Sequence, residues 1–326
     1  MAHAVKWGIL STGNINRKVI PGAHASAKVE LVAVASRDQA RADDYAKTWE
    51  IARAYGSYDA LLADPEIEAV YISLPNSLHC EWSIRALEAG KHVLCEKPLS
   101  RHVGDVEAAF DAADRAGKLL SEAFMWRHNP QTKRAKQLVD EGAIGELRLI
   151  RSAFSYPLYD RNDIRMSTAL DGGALMDVGC YAVSGSRLFG GEPERVHGEA
   201  WFGPSGTDWV FAGTLRFPGS IVATFDCGTA MPKRDELEAI GSDASLFIDD
   251  PWHCLIPGIE IRRDGRVERI ELEQVDSYQL ELENLSDAIR GDGELLLGRA
   301  DAIGQARALE ALHGSATTGR SVTLQG

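Results

Sequence analysis

The sequence predicts an α/β protein of two domains. An N-terminal open domain on a parallel sheet precedes a C-terminal α+β domain on a large, mainly antiparallel open sheet. Three observations predict this. Apolar strand-like runs alternate with helix-like segments as far as residue 122. Between residues 195 and 275 the pattern becomes strand after strand, punctuated by Pro, Gly and Asp. The 326 residues suffice for two hydrophobic cores.

The elements follow in order. Residues 5–10, VKWGIL, read as a strand, followed by the turn STGN and a helix from Ile15. Residues 28–35, KVELVAVA, form a second strand, and Arg37 to Trp49 is helix-like. Ile67 to Leu74 is a strand, Glu81 to Ala89 a helix and His92 to Cys95 another strand. Residues 103–116 are helical, and Leu119-Leu120 open one more short strand. Crossovers of this length suit parallel pairing. A helix over 130–140 ends near Gly142, residues 146–155 form a strand, and Gly172 to Leu188 contains a helical portion. The strands HGEAWF, WVFAGTLRF, SIVATFDCG, SLFIDD, GIEIRR and VERIEL come next, then helices over 278–290 and 300–313. The expected domains are 1–122 and 123–326, the final helix being able to pack back on the first.

Composition excludes several classes. A net charge of −13 argues against nonspecific binding to nucleic acid or an anionic membrane. No basic segment followed by an apolar stretch opens the chain, and no apolar run reaches the ~18 residues of a membrane span. The cysteines Cys80, Cys95, Cys180, Cys227 and Cys254 are scattered, without a Cys-x-x-Cys pair. They read as free thiols in a reducing cytoplasm. No Cys/His cluster has metal-ligand spacing, so no metal is expected.

The first strand-to-helix turn carries Gly8, Ser11, Thr12, Gly13, Asn14 and Ile15. A dinucleotide-binding Rossmann domain needs small residues here, because the backbone approaches a pyrophosphate and the helix N-terminus faces it. The three-glycine fingerprint is incomplete, and a plain structural turn is the alternative. The second strand ends in Ala35-Ser36-Arg37, where an NAD site would place a carboxylate. A hydroxyl and a guanidinium instead suit a ribose 2′-phosphate, so NADP is expected over NAD. Asp38 reads as a helix cap. Leu74, Pro75 and Asn76 end a strand at the ligand crevice, and His79 either packs over the cofactor or serves as a local helix-start residue.

In HVLCEKPLS, residues 92–100, Glu96 and Lys97 stand at a strand mouth, and Pro98 restricts Lys97. In GGALMDVGCY, residues 172–181, Asp177 and Tyr181 are four apart and share a face of any helix. A tyrosine beside a cation can act as acid/base, whereas a core tyrosine merely finds an acceptor. Trp126 and Arg127 either line a cleft or make a domain-junction contact. Arg165 with Asp163 suits a sugar pocket or a loop ion pair.

Together GILSTGNIN, VASR, LPNSLH, CEKPLS and GGALMDVGCY resemble the glucose–fructose oxidoreductase / inositol dehydrogenase / MocA family over nearly the whole chain. Ser11 departs from the glycine of many members. The resemblance implies Lys97 as catalytic lysine, Asp177 as the acid of the active-site helix, and Tyr181 at a position where inositol dehydrogenases carry histidine. Tyrosine there, with EAFMWRHNPQ at 122–131, resembles the NADP-dependent D-xylose 1-dehydrogenase and dimeric dihydrodiol dehydrogenase subgroup. Lys97, Tyr181 and Asp177 are thus the expected catalytic residues. Trp126, Arg127, Arg165, Asp177 and Tyr181 are expected to bind a sugar or polyol. The expected reaction is hydride transfer between NADP and a sugar, most simply an aldose oxidised to its lactone. A keto-sugar reductase (nucleotide-linked or acting on 1,5-anhydrofructose), a dihydrodiol dehydrogenase and a dinucleotide-binding regulatory protein are the rivals. A homo-oligomer, a dimer or tetramer formed through the C-terminal sheet, is expected because one broad face would otherwise lie exposed.

Overall fold

The computed structural model describes residues 3–324. They divide into two compact units. The first ends at Met125 and takes in Asp276–Ile303; the second comprises Trp126–Val275 and the chain from Gly304 onward.

The first unit contains β1 (Val5–Leu10), α1 (Asn16–Ala25), β2 (Val29–Ala35), α2 (Gln39–Thr48), β3 (Arg53–Tyr55) and α3 (Tyr58–Leu62). After these come β4 (Ala69–Ile72), α4 (His79–Glu88), β5 (His92–Glu96), α5 (Val103–Ala116) and β6 (Leu120–Ala123). The strands form one parallel sheet in the order β3-β2-β1-β4-β5-β6. Helices cover it on both faces, so its strands are near-continuous apolar runs; β4, AVYI, is buried at every position. Strand order reverses between β1 and β4, which puts the ligand crevice at their carboxyl ends.

The second unit contains α6 (Pro130–Asp140), β7 (Leu147–Pro157), α7 (Cys180–Gly190), β8 (Arg195–Phe202), β9 (Asp208–Arg216), β10 (Val222–Gly228) and β11 (Ala230–Gly241). It continues with β12 (Ser245–Ile248), β13 (Gly258–Arg263) and β14 (Arg266–Glu271). Helix α8 (Ser277–Arg290) belongs to the first unit, α9 (Arg299–Thr318) begins there and continues in the second, and β15 (Val322–Thr323) closes the chain's described part. The nine-stranded sheet runs β14-β13-β12-β11-β7-β10-β9-β8-β15, antiparallel except where β10 lies parallel to β7. Helix α7 packs on one face against β7 and β10. The opposite face holds Arg151, Arg234 and Arg262 among Asp226, Glu199, Glu236 and Glu238, around a hollow of about 560 Å³.

Residues 276–303, which the sequence division assigned to the second domain, pack with the first for visible reasons. A Cβ on Gly22 would lie 2.8 Å from the Gln279 backbone nitrogen, so α1 and α8 meet backbone to backbone. The Trp7 indole N–H donates to Ser286 Oγ at 3.2 Å, and Arg290 holds Glu68 through two contacts of 2.7 and 2.8 Å. Sequence reading also missed β3, α3, β11 and β15. Strand β11 carries Pro232 and a charged outer face, which hides its alternation of Leu237 and Ala239 inward.

Candidate active site

The candidate residues form two groups, one in each unit. In the first, the β1–α1 turn is closed by Ser11. Its φ of +100° is one that glycine adopts most easily, so the serine needs compensation. Its hydroxyl donates to Ser73 O at 2.9 Å and accepts from the Gly13 N–H at 3.0 Å, while Asn16 Nδ2 donates to Ser11 O at 2.9 Å. These bonds tie the ends of β1 and β4 together at the strand-order reversal. A Cβ on Gly13 would lie 3.0 Å from Ser73 O, so this position needs its small residue for the turn. Thr12, Asn14 and Ile15 complete the turn, and α1 opens with no side-chain cap and with Arg17 and Lys18 rather than an acid. An anionic pyrophosphate suits that helix end. A Cβ on Gly8 would lie 2.9 Å from a Leu61 methyl, so this glycine makes room for α3.

At the end of β2, Ser36 is buried and donates its N–H to Tyr55 O at 3.0 Å; Arg37 is exposed. The Asp38 carboxylate is spent on the helix, accepting from the Arg41 N–H at 2.8 Å. That cap is what the sequence predicted, and it leaves this edge to cations. Arg37 and Arg41 both oppose the upward push that burial gives the Tyr58 hydroxyl. Arg41, one helical turn on, is a second candidate for a phosphate that the sequence reading missed.

The turn after β5 is held at successive backbone groups. Tyr71 donates its hydroxyl to Glu96 Oε1, and Glu96 Oε2 accepts from the Lys97 N–H at 3.3 Å. Burial, with the Glu96 charge behind it, pushes the Tyr71 hydroxyl far above its ordinary range, so it stays a donor. Lys97 is half-buried in a turn whose other residues are buried, and the Lys97–Pro98 bond is cis. Glu122 Oε1 accepts from the Leu99 N–H at 2.7 Å. His79 opens α4, but its ring does not lie open over a cofactor. It is 1% exposed, with Nδ1 2.8 Å from Pro98 O and Nε2 2.8 Å from Leu74 O. Leu74 is buried, and Pro75 and Asn76 lead into the short 3₁₀ turn Asn76–Leu78 before α4.

In the second unit, two glycines shape the entry to α7. A Cβ on Gly172 would lie 2.4 Å from Arg165 O, and Gly173, at φ +119°, would put one 2.0 Å from Asp208 Oδ1. The buried Asp208 accepts the Leu175 N–H at 2.6 Å. Residues Leu175–Gly179 then wind as a π-turn before α7, a local widening often found at functional sites. It presents Asp177 to Tyr156 and Arg165. The Tyr156 hydroxyl donates to Asp177 Oδ2 at 2.5 Å, and Arg165 Nε lies 3.1 Å from Asp177 Oδ1. Arg165 also pairs with Asp163 at 3.1 Å, so it serves both a loop ion pair and the site. The Asp177 charge raises the Arg165 guanidinium further, and burial followed by Asp177 raises Tyr156, which is therefore a neutral donor. Tyr156 was missed, because nothing near it in sequence marks it.

Tyr181 is 7% exposed, its ring edge-on to Phe154 at 5.3 Å and tilted against Trp252 at 5.9 Å. Arg127 Nη1 lies 3.4 Å from Ser184 Oγ, one turn along the same helix. Trp126 is fully buried against Trp252 at 5.0 Å, so it is a core ring and not a substrate wall. Asp235, Asp250 and His253 gather ligand-type atoms within 4.8 Å, a group absent from the sequence expectations. His253 Nδ1 is 2.6 Å from Asp235 Oδ2, while Asp250 Oδ2 accepts the N–H groups of Leu255 and Ile256 at 2.6 and 3.1 Å. These bonds tie the 250–256 loop to β11.

Residues 5–124 match the model described as the oxidoreductase family with an NAD-binding Rossmann fold, and residues 132–247 match the GFO/IDH/MocA C-terminal domain. The chain belongs to the GFO/IDH/MocA oxidoreductase family. Within it, the chain is 39% identical to a D-xylose 1-dehydrogenase (NADP(+)) of Haloferax volcanii over 98% of this chain and 99% of that one. Two solved family structures are similar throughout. One is an aldose-aldose oxidoreductase of Caulobacter crescentus in complex with glycerol, TM-score 0.92, 26% identical, covering 99% of this chain and 100% of that one. The other is KijD10, a 3-ketoreductase of Actinomadura kijaniata with NADP and TDP-benzene, TM-score 0.91, 29% identical, covering 96% and 98%. The first unit is thus an NAD(P)-binding Rossmann domain. No helix among the described residues is long and apolar enough to cross a membrane.

Proposed function

We propose that this family member is an NADP-dependent sugar dehydrogenase that oxidises an aldose at its anomeric carbon. The observation that carries the cofactor half is at the end of β2, where the Asp38 carboxylate is spent on capping α2 while Arg37 stands exposed. The ordered Ser11–Gly13 turn at the strand-order reversal fits a dinucleotide pyrophosphate. Bound NADP⁺ would accept the hydride.

Tyr181 takes the proton of the anomeric hydroxyl, and Lys97 supplies the positive charge that favours the resulting oxyanion. Asp177, steadied by Tyr156 and Arg165, accepts from a second sugar hydroxyl. The aldose loses hydride and proton and becomes the lactone. Supporting the assignment, solved variants of KijD10 alter a lysine and a tyrosine separated by the same number of positions as Lys97 and Tyr181.

Reduction of a nucleotide-linked keto-sugar is the second reading. It is favoured by the loop after β7, where the Arg161 guanidinium sits 4.1 Å over the Trp209 ring and Tyr159 is 83% exposed. Such aromatic and cationic surface suits a base and a diphosphate. We further propose a homo-oligomer, dimer or tetramer, that pairs the charged open face of the nine-stranded sheet, and a cytoplasmic location in which the five thiols stay free.

The test follows reduced-nicotinamide absorbance with NADP⁺ and NAD⁺ against D-xylose, D-glucose and dihydrodiols, and its loss with NADPH against keto-sugars. Aldose turnover with NADP⁺ that collapses in Tyr181→Phe and Lys97→Met is expected. Absence of turnover with every substrate would leave a dinucleotide-binding regulatory protein as the better reading.

A further inference from the structure

The two ring nitrogens of His79 face the same kind of atom. Nδ1 lies 2.8 Å from Pro98 O, and Nε2 lies 2.8 Å from Leu74 O. A carbonyl oxygen only accepts, and a neutral imidazole has a single N–H. In the neutral ring, one nitrogen lone pair would therefore point at an oxygen lone pair. The ring is 1% exposed, which leaves little room for solvent to relieve that contact. Turning the ring over would put carbon at both contacts and lose both bonds. Only the doubly protonated ring satisfies the geometry.

We propose that His79 is held as a buried imidazolium and is a positioning residue for Lys97. It ties the carboxyl end of β4, at Leu74, to the turn that carries the lysine. The charge is not isolated. Glu96 ends β5 and Lys97 lies on the turn after it, Glu122 lies on β6, Arg101 and His102 just before α5 and Asp105 in its first turn, and Cys80 and Glu81 on the histidine's own helix. Glu122, 2% exposed, accepts the Leu99 N–H next to Pro98 on the face of the sheet that it shares with Cys95, whereas Glu96 points to the opposite face, toward Tyr71. A cation here matches the buried Glu122 better than a neutral ring would.

The bonds to the turn are therefore pH-dependent in one direction. Loss of the imidazolium proton removes one of the two tethers and frees either Leu74 or Pro98. The role assigned to Lys97 rests on the proposed function; the protonation state of His79 does not.

The experiment uses the full chain labelled with ¹⁵N-histidine, with and without NADP⁺. Ring ¹⁵N–¹H correlations of His79, assigned by their absence in His79→Gln, should show protons on both nitrogens at neutral pH. A proton on one nitrogen alone overturns the proposal, whatever the enzyme's activity. Kinetically, His79→Gln keeps one donor and His79→Leu none. For folded variants with unchanged melting profiles, kcat should fall about tenfold or more in His79→Leu and less in His79→Gln. Equal kcat in all three proteins would remove the positioning role. If His79→Leu does not fold, the wild-type spectrum and His79→Gln decide. A wild type inactive on every substrate would sink the proposed function and leave the spectrum to be judged alone.

Discussion

Replacing Gly173 by alanine should disorder the start of the segment that carries Asp177 and Tyr181. Two costs add. The residue sits at φ +119°, a conformation left almost entirely to glycine, worth about 1–3 kcal/mol for a side chain held there. The new Cβ would also stand 2.0 Å from Asp208 Oδ1, so the carboxylate must move. Asp208 is buried and receives the Leu175 N–H at 2.6 Å. Losing a charge-assisted bond of this kind costs about 1.5–3 kcal/mol. The expected total is about 2.5–6 kcal/mol, a large part of the ~5–15 kcal/mol that usually holds a domain folded. Hydrogen exchange of residues 173–181 reads the local opening, and urea unfolding reads the rest. Asp208→Gly removes the clashing atom, so alanine at 173 should cost about 1.5–3 kcal/mol less in that background. A Gly173→Ala cost below about 1 kcal/mol, equal in both backgrounds, would refute the reasoning.

The remaining predictions concern cofactor choice, buried charge and pH. Arg37→Ala should raise KM for NADP⁺ about tenfold or more while leaving NAD⁺ nearly unchanged; equal losses would remove its phosphate role. Glu281 is 1% exposed with neither carboxylate oxygen hydrogen-bonded, and burial drives its carboxyl far above the usual range. The fold therefore keeps it protonated, and stability should fall as pH rises above the ordinary glutamate value. Glu281→Met should stabilise the protein by roughly 1–3 kcal/mol at neutral pH and flatten that slope, by urea unfolding; a loss of stability would contradict it. His92 accepts the Leu119 N–H on Nδ1 at 3.0 Å, and burial lowers its pKa to about 4. Its contribution is present above the ordinary histidine value near 6.5 and lost as pH falls toward 4, so melting temperatures of wild type and His92→Gln should diverge in that window. Tyr156→Phe should lower kcat by removing a support of Asp177, with little effect on KM for NADP⁺.

What was legible in the sequence is what repeats along it. The parallel sheet announces itself because each strand is buried on both faces, as AVYI in β4 shows. The start of a helix was legible where a local side chain closes it, as Asp38 does for α2. The candidate site divides the same way. Lys97, Asp177 and Tyr181 stand out through neighbouring residues, proline, glycine and helical spacing. Their supports do not. Tyr71 reaches Glu96 across 25 positions, Asp208 reaches Leu175 across 33, and Tyr156 reaches Asp177 across 21. Each such contact depends on strand register, which a one-residue slip would turn to the opposite face. Strand β11 was lost for a related reason. Two of its outer residues meet partners on other strands of the sheet, Arg234 with Asp226 on β10, and Glu238 with Arg151 on β7 and Arg262 on β13. Read alone, that run of charge looks like a loop. The same logic explains Gly8 and Gly13. Both looked like phosphate glycines because composition is all a motif records, whereas the atom a Cβ would meet, a Leu61 methyl or Ser73 O, separates a packing contact from a turn.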